Sequence, residues 1–243
     1  MFPIICKIGP LSLYSYGLML AVAVIVCSFL MSREAKPLGI APEVIFDFVF
    51  WVIFIGLLGA RFFYILLNVS FFIKNPLEII MIQRGGIAWQ GSLIAGTLSA
   101  VVFIRRKKLP LLTIFDLVAP YIALGQAIGR IGCFLNGCCY GKPSPHGIYF
   151  PVHADRLYPT QLFCSLGLLI IFLILRFNRQ KFKIPGQLFI SYLVLASTLR
   201  FVIEFFRGDH DQTFLGLSVY QWMSLAILSI GLGIYSRWRR HTP

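Results

Sequence analysis

Seven stretches of roughly twenty apolar residues punctuate this chain and leave it little choice of fold, because a run of that length matches the hydrocarbon core of a bilayer as one helix. They cover approximately Leu13–Met31, Val44–Asn68, Gly86–Ile104, Leu111–Gly132, Pro159–Phe177, Pro185–Phe205 and Leu215–Ser236. Peptide groups in hydrocarbon have no water to bond, so each run must satisfy its backbone internally, as a helix does. Composition agrees: 58% of the 243 residues are hydrophobic and only 13% charged, against about 25% charged in soluble domains. The expected fold is all-α and polytopic, a single integral membrane domain over residues 1–243. Loops are short except Cys133–Tyr158, expected as an external loop. No basic segment precedes the first run and no small-residue cleavage site follows it, so it is expected to remain as a helix.

A net charge of +13 would point to nucleic acid in a soluble protein. Here the basic residues lie in short loops between apolar runs, the pattern of topology signals, and nucleic-acid binding is excluded. One side of the predicted bundle carries Arg33, Lys36, Arg105, Arg106, Lys107, Lys108, Arg176, Arg179, Lys181, Lys183, Arg237, Arg239 and Arg240. The other carries Lys7, Lys74, Arg84, Lys142, Arg156 and Arg207. The excess of positive charge marks the cytoplasmic side, so the N-terminus is expected outside and the C-terminus in the cytoplasm.

The remaining arginines, Arg61, Arg130 and Arg200, lie within spans. All three fall near the outer ends of outward-running segments. An arginine in hydrocarbon costs on the order of 3 kcal/mol or more, so three at one depth call for an anion, and the abundant anion of a membrane is a lipid phosphate. Tyr14, Ser15, Tyr16 and the glycine-rich stretch Gly85–Gly91, with Gln90 inside it, are expected at the same depth. Arg61 alone would read as a residue snorkelling to the headgroups. Arg130 is different, because the glycines beside it in Gly129–Gly141 permit close backbone approach. Arg200, Glu204 and Arg207, spaced i, i+4 and i+7, are expected on one helix face. That spacing reads either as an ion pair orienting the helix or as Glu204 holding guanidinium forks for a phosphate. Tyr16 reads as an interfacial anchor and Gln90 as a helix-to-helix hydrogen bond unless the site recruits them. Asp47 and Asp116 read as helix-start caps.

Cys133, Cys138 and Cys139 fall on the oxidising side of this topology, where a disulfide between two of them is the leading expectation. A metal site is disfavoured because C-x4-C-C lacks the usual paired spacing, although His146 and His153 follow in the same loop.

The chain resembles the prolipoprotein diacylglyceryl transferases over nearly its whole length. Gly129–Gly141 follows the frame of that family's signature, Gly-Arg-x-Gly-Asn-Phe-x-Asn-Gly-Glu-x-x-Gly. Further matches are Tyr16-Gly17, Gly59-Ala60-Arg61, the glycine-rich start of the third span, Tyr158-Pro159-Thr160-Gln161-Leu162 and Arg200–Arg207. The resemblance implies seven spans and a reaction in which phosphatidylglycerol donates its diacylglyceryl group to the lipobox cysteine of a preprolipoprotein signal peptide. A thioether forms and glycerol phosphate leaves. It implies catalytic roles for Arg130, Arg200 and Tyr16, support from Glu204 and Arg207, and substrate contacts by Arg130, Arg200, Arg207, Arg61, Asn136 and Gly141. It implies no cofactor and no metal, and a site facing the outer leaflet of the bacterial cytoplasmic (inner) membrane.

Three positions depart from the family pattern: Cys133 replaces its Asn, Cys138 its Glu, and Gln90 a histidine proposed as base. Glutamine takes no proton at useful pH, so Tyr16, Glu204 or the arginine field must ionise the thiol. Two other classes remain as alternatives. A membrane thiol–disulfide oxidoreductase would use Cys133, Cys138 and Cys139 but give the arginines no task. A transporter for an anionic solute would place its polar residues near the midplane, not at one end.

Overall fold

The computed structural model describes residues 1–8, 11–81, 85–209 and 215–241. Arg84, counted above on the outer side, lies outside the described residues. The chain opens with an antiparallel pair, β1 (Ile4–Ile8) and β2 (Leu11–Tyr14). Then follow α1 (Ser15–Ala35), α2 (Pro42–Leu67), the short α3 (Val69–Lys74), α4 (Trp89–Arg106) and α5 (Leu111–Asn136). A second antiparallel pair, β3 (Pro143–Phe150) and β4 (Asp155–Leu157), precedes α6 (Thr160–Phe177), α7 (Gln187–Glu204) and α8 (Val219–His241).

Among the described residues, six helices are long and apolar enough to cross a membrane: α1, α2, α5, α6, α7 and α8. The third expected span is the 18-residue α4, which begins Trp-Gln-Gly-Ser and ends Arg105-Arg106. Each helix overlaps its apolar run, and the ends follow local chemistry. Pro42 stands in the first turn of α2 with Glu43 beside it, suiting a turn that needs few donors and favours negative charge. Arg33, Arg105 with Arg106, and Arg176 occupy the last turns of α1, α4 and α6, where cations face the negative helix ends.

By contacts the chain forms two compact units, one of Met1–Phe29 with Phe115–Pro243 and one of Leu30–Ile114. In the second, α2 and α4 meet through small residues. A Cβ on Gly59 would stand 2.2 Å from Ala95 Cβ, and one on Gly91 would stand 2.3 Å from Gly59 O. Such close helix contact in lipid depends on residues without side-chain bulk. In the first unit the core is Ala119, Ala123, Ile171, Leu175, Leu188 and Tyr192, continued by Ala127, Cys164, Leu168 and Ile203. Asp116 is indeed a cap, but of another helix. Its carboxylate on α5 accepts the Gly186 and Phe189 N–H groups at 2.6 and 2.9 Å at the start of α7. Large outward side chains such as Ile25 (67% exposed) and Ile230 (64%) suit contact with lipid.

Candidate functional site

The signature stretch is shaped by how α5 ends. Asn136 is its last residue, and Gly137 follows at φ +78°. Gly137 N–H donates to Phe134 O at 3.2 Å and Cys138 N–H to Cys133 O at 3.1 Å. This pair of bonds is the Schellman closure, which needs a left-handed residue at its turn and brings the residues flanking it side by side. Those residues are Cys133 and Cys138. Cys139 then takes φ +61°, which sends the chain back toward the helix ends. All six cysteines are free thiols. The disulfide expected between two of the three signature cysteines is therefore not formed, and instead their Sγ atoms lie within 4.8 Å of one another. Asn136 reaches the Cys138 thiol with its side chain. Hydrogen bonds from Cys133 and Cys138, with the nearby Arg207 and Arg130 charges, hold the Cys139 thiol below the ordinary thiol range.

Past the turn, Gly141 threads between two other segments. It bridges to Arg207, and its N–H donates to Tyr158 O at 2.9 Å. Lys142 N–H donates to Phe206 O at 2.8 Å. A Cβ on Gly141 would stand 2.6 Å from Tyr158 Cβ and 2.8 Å from Phe206 O, so this glycine is required by main-chain packing. The start of α6 clasps the same turn: Thr160 Oγ1 donates to Cys139 O at 2.8 Å and Gln161 Nε2 to Cys138 O at 2.7 Å.

The ends of α7 and α8 supply the charges. Arg200 Nη2 lies 2.9 Å from Glu204 Oε2, and its guanidinium sits 4.8 Å from the Tyr220 ring centroid. Glu204 is buried, and its Oε1 accepts from Ser218 Oγ at 2.8 Å. Ser218 also caps α8. Its N–H donates to Gln221 Oε1 at 2.9 Å while Gln221 N–H reaches Ser218 Oγ at 3.3 Å, a reciprocal capping box.

Arg200, Glu204 and Arg207 do not share one helix face, contrary to the expectation from their spacing. The helix stops at Glu204, and Arg207 lies in the turn beyond it. Arg207 therefore takes its own carboxylate, donating from Nε and Nη2 to the two Asp209 oxygens at 2.8 and 2.6 Å. Burial works against its charge, but Asp209 outweighs this and holds its pKa above the ordinary arginine value.

Arg130 is half-buried one turn before the Schellman closure. Its charge, that of Arg200 and that of Arg207 act on one another, so the three guanidiniums gather at one end of α5 and α7. Arg200 Nη1 is buried with no hydrogen-bond partner among the described residues, and so is Gln221 Nε2. Tyr16, in the first turn of α1, packs on the same helix end. A Cβ on Gly132 would stand 3.3 Å from its ring. Ser15 beside it is buried and donates to Pro3 O at 3.0 Å and to Phe2 O, which straps the N-terminal strands to α1.

Arg61 and Gln90 belong to the other unit. Gln90 is exposed in the first turn of α4. Arg61 is 6% exposed and wrapped by its own loop. It donates to Ile79 O at 3.1 Å, Gly85 O at 2.7 Å, Gly86 O at 2.8 Å, Met81 O at 3.5 Å and Glu78 O. An arginine has five N–H donors, so none remains for a phosphate. Sequence reasoning did not single out Ser218, Gln221, Asp209 and Tyr220. The Ser-x-x-Gln spacing before the last apolar run was the available signal for the first two; nothing local marks Asp209 or Tyr220.

The helices and the arginine cluster at their ends define a polytopic helical membrane protein that concentrates positive charge in one place. Residues 3–237 match the family model described as Prolipoprotein diacylglyceryl transferase, and the chain belongs to that family. It is 34% identical over 244 residues to the phosphatidylglycerol–prolipoprotein diacylglyceryl transferase of Clostridium tetani, covering 97% of each chain. It is 35% identical over 248 residues to the enzyme of the same name from Streptococcus pyogenes serotype M5, covering 98% of this chain and 95% of the relative.

Proposed function

We propose that this protein transfers the diacylglyceryl group of phosphatidylglycerol to the lipobox cysteine thiol of preprolipoproteins, the first step of lipoprotein maturation. The observation that carries the reading is the gathering of Arg130, Arg200 and Arg207, with Arg200 Nη1 buried and open among the described residues. The lipobox thiolate attacks the glyceryl carbon, a C–S bond forms, the C–O bond to phosphate breaks, and glycerol phosphate leaves. The leaving phosphate gains negative charge as it departs. Fixed guanidiniums stabilise that charge as it develops, and the same field lowers the pKa of the incoming thiol. Glu204 is engaged on both oxygens, by Arg200 and by Ser218, and acts by positioning Arg200. Tyr16, packed over Gly132, is the remaining candidate to take the thiol proton. Asn136 and the Gly141 turn shape the wall of the site; Arg61 orders its own loop, and Gln90 has no catalytic task in this scheme.

In this reading α4 is a seventh span, the N-terminus lies outside and the C-terminus in the cytoplasm. The site then opens to the outer leaflet of the bacterial cytoplasmic membrane, where the lipid donor and the membrane-tethered preprolipoprotein meet. The Lys and Arg bias between loops supports this orientation.

The test is a transfer assay in detergent with phosphatidylglycerol and a lipobox peptide. Thioether product is expected from wild type, with activity lower by about 100- to 1,000-fold in Arg130→Ala and Arg200→Ala. Folded wild-type protein that forms no thioether, or arginine variants as active as wild type, would overturn the reading.

A further inference from the structure

We infer that Cys133, Cys138 and Cys139 form a three-thiolate site for a thiophilic d10 metal ion, with zinc as the reference ion. This does not rest on the transfer reaction proposed above. Spacing alone argued against a metal, since two of these cysteines are five residues apart and two are adjacent. The fold removes that objection. The Schellman closure at Gly137 places Cys133 beside Cys138, through the Cys138 N–H to Cys133 O bond of 3.1 Å. The left-handed backbone at Cys139, φ +61°, lets a neighbour in sequence turn its thiol to the same point. That conformation is unfavourable for a side chain with a Cβ, and the surrounding bonds must hold it.

The geometry fits a metal more closely than a disulfide. With zinc–sulfur bonds of about 2.3 Å, sulfurs sharing one ion stand about 3.8–4.0 Å apart. The three Sγ atoms lie within 4.8 Å of one another, so sub-ångström adjustments bring all three to one ion. A disulfide would need one pair to close to about 2.05 Å and would leave the third sulfur unused.

The surroundings supply what a ligand set of this kind requires. Thr160 Oγ1 and Gln161 Nε2 hold the carbonyls of Cys139 and Cys138 at 2.8 and 2.7 Å, a second layer that fixes the ligand backbone. Three thiolates around a divalent ion carry a net charge of about −1. Arg130 and Arg207, both close enough to act on Cys139, offset that charge. Among the described residues these three thiols alone make up the ligand group, so the fourth position is left to an exogenous ligand. Thiolates select soft or borderline ions such as zinc or monovalent copper over calcium or magnesium.

The experiment compares two reduced proteins in detergent, titrated with cobalt(II) and then zinc. One is Cys6→Ser/Cys27→Ser/Cys164→Ser, which keeps the three cysteines. The other is Cys133→Ser/Cys138→Ser/Cys139→Ser. Expected is one cobalt per chain with a thiolate-to-cobalt charge-transfer band in the first, displaced by zinc, and no such band in the second. If the second does not fold, Cys138→Ser alone serves, with affinity reduced by more than the roughly 10–100-fold that outer-layer changes cause. Three results would overturn the inference. The first is that the protein keeping the three cysteines binds neither cobalt nor zinc, and the second that the Cys138→Ser variant binds as tightly as its parent. The third is that Cys133 and Cys138 link covalently in air, with the loss of two hydrogens, even when zinc is present.

Discussion

Ser218 makes two separable contributions, and the difference between alanine and glycine at this position resolves them. As the cap of α8 it is worth about 1 kcal/mol over alanine, whereas glycine in its place loses only a few tenths. Its hydroxyl also donates at 2.8 Å to the buried Glu204 carboxylate, and a hydrogen bond to a charged acceptor contributes about 1.5–3 kcal/mol. Ser218→Ala removes both, a loss of about 2.5–4 kcal/mol. Ser218→Gly removes chiefly the bond to Glu204, a loss of about 2–3 kcal/mol. The measurement is a urea titration of the detergent-solubilised protein followed by tryptophan emission, comparing midpoints at constant slope. Were Ser218 merely a cap, the glycine variant would fall within about 0.5 kcal/mol of wild type, and that result would refute the reasoning. The same variants should lower the transfer rate, because Glu204 without its donor holds Arg200 less firmly.

Three further outcomes are expected. Arg61→Ala strands five carbonyls, so the folded fraction should drop sharply while the transfer rate per folded molecule is kept; a rate loss in fully folded protein would return Arg61 to the substrate site. Gly141→Ala forces a Cβ to 2.6 Å from Tyr158 Cβ, and the unfolding free energy should fall by about 1–3 kcal/mol, with an unchanged unfolding midpoint counting against the tight main-chain crossing. Because the Cys139 thiol is held below its ordinary range, its thiolate persists as pH falls. In chelator-treated protein its alkylation, followed by peptide mass mapping, should decline less steeply from about pH 8 to pH 6 than that of an ordinary thiol, which slows about tenfold per unit; a parallel decline would contradict the depressed value.

Apolar runs and their lengths made the helices legible, because burial in lipid is a property of the run as a whole. Their ends were less so. A single glycine does not stop a helix, so α5 continues past Gly132 to Asn136, where Gly137 adopts the left-handed turn. The last helix begins at the Ser218–Gln221 box rather than at Leu215, the start of its apolar run. Within the site, Arg130, Arg200 and Glu204 stood out because charge in an apolar run is conspicuous. The separation of Arg207 from that face was hidden, since it depends on the helix ending at Glu204 and on Asp209 lying two residues ahead. The three-cysteine cluster was hidden for the opposite reason: spacing rules describe regular structure, and here a helix terminus folds the chain onto itself. Arg61 shows the limit of reading by residue type. Its five carbonyl acceptors come from a loop that carries no pattern of its own.

The crossing of Gly141 with Tyr158 and Arg207 is made almost wholly by peptide groups. Peptide groups do not vary when side chains do. The turn beside the ends of α5 and α7 is in that sense a frame cast in main chain, and its course is indifferent to what is mounted on it. A lineage can then exchange the residues at Cys133 and Cys138 while leaving the guanidiniums where they are. Chemistry at the rim of such a site is free to diverge at positions where, in a frame built from side chains, the first substitution would have closed the door.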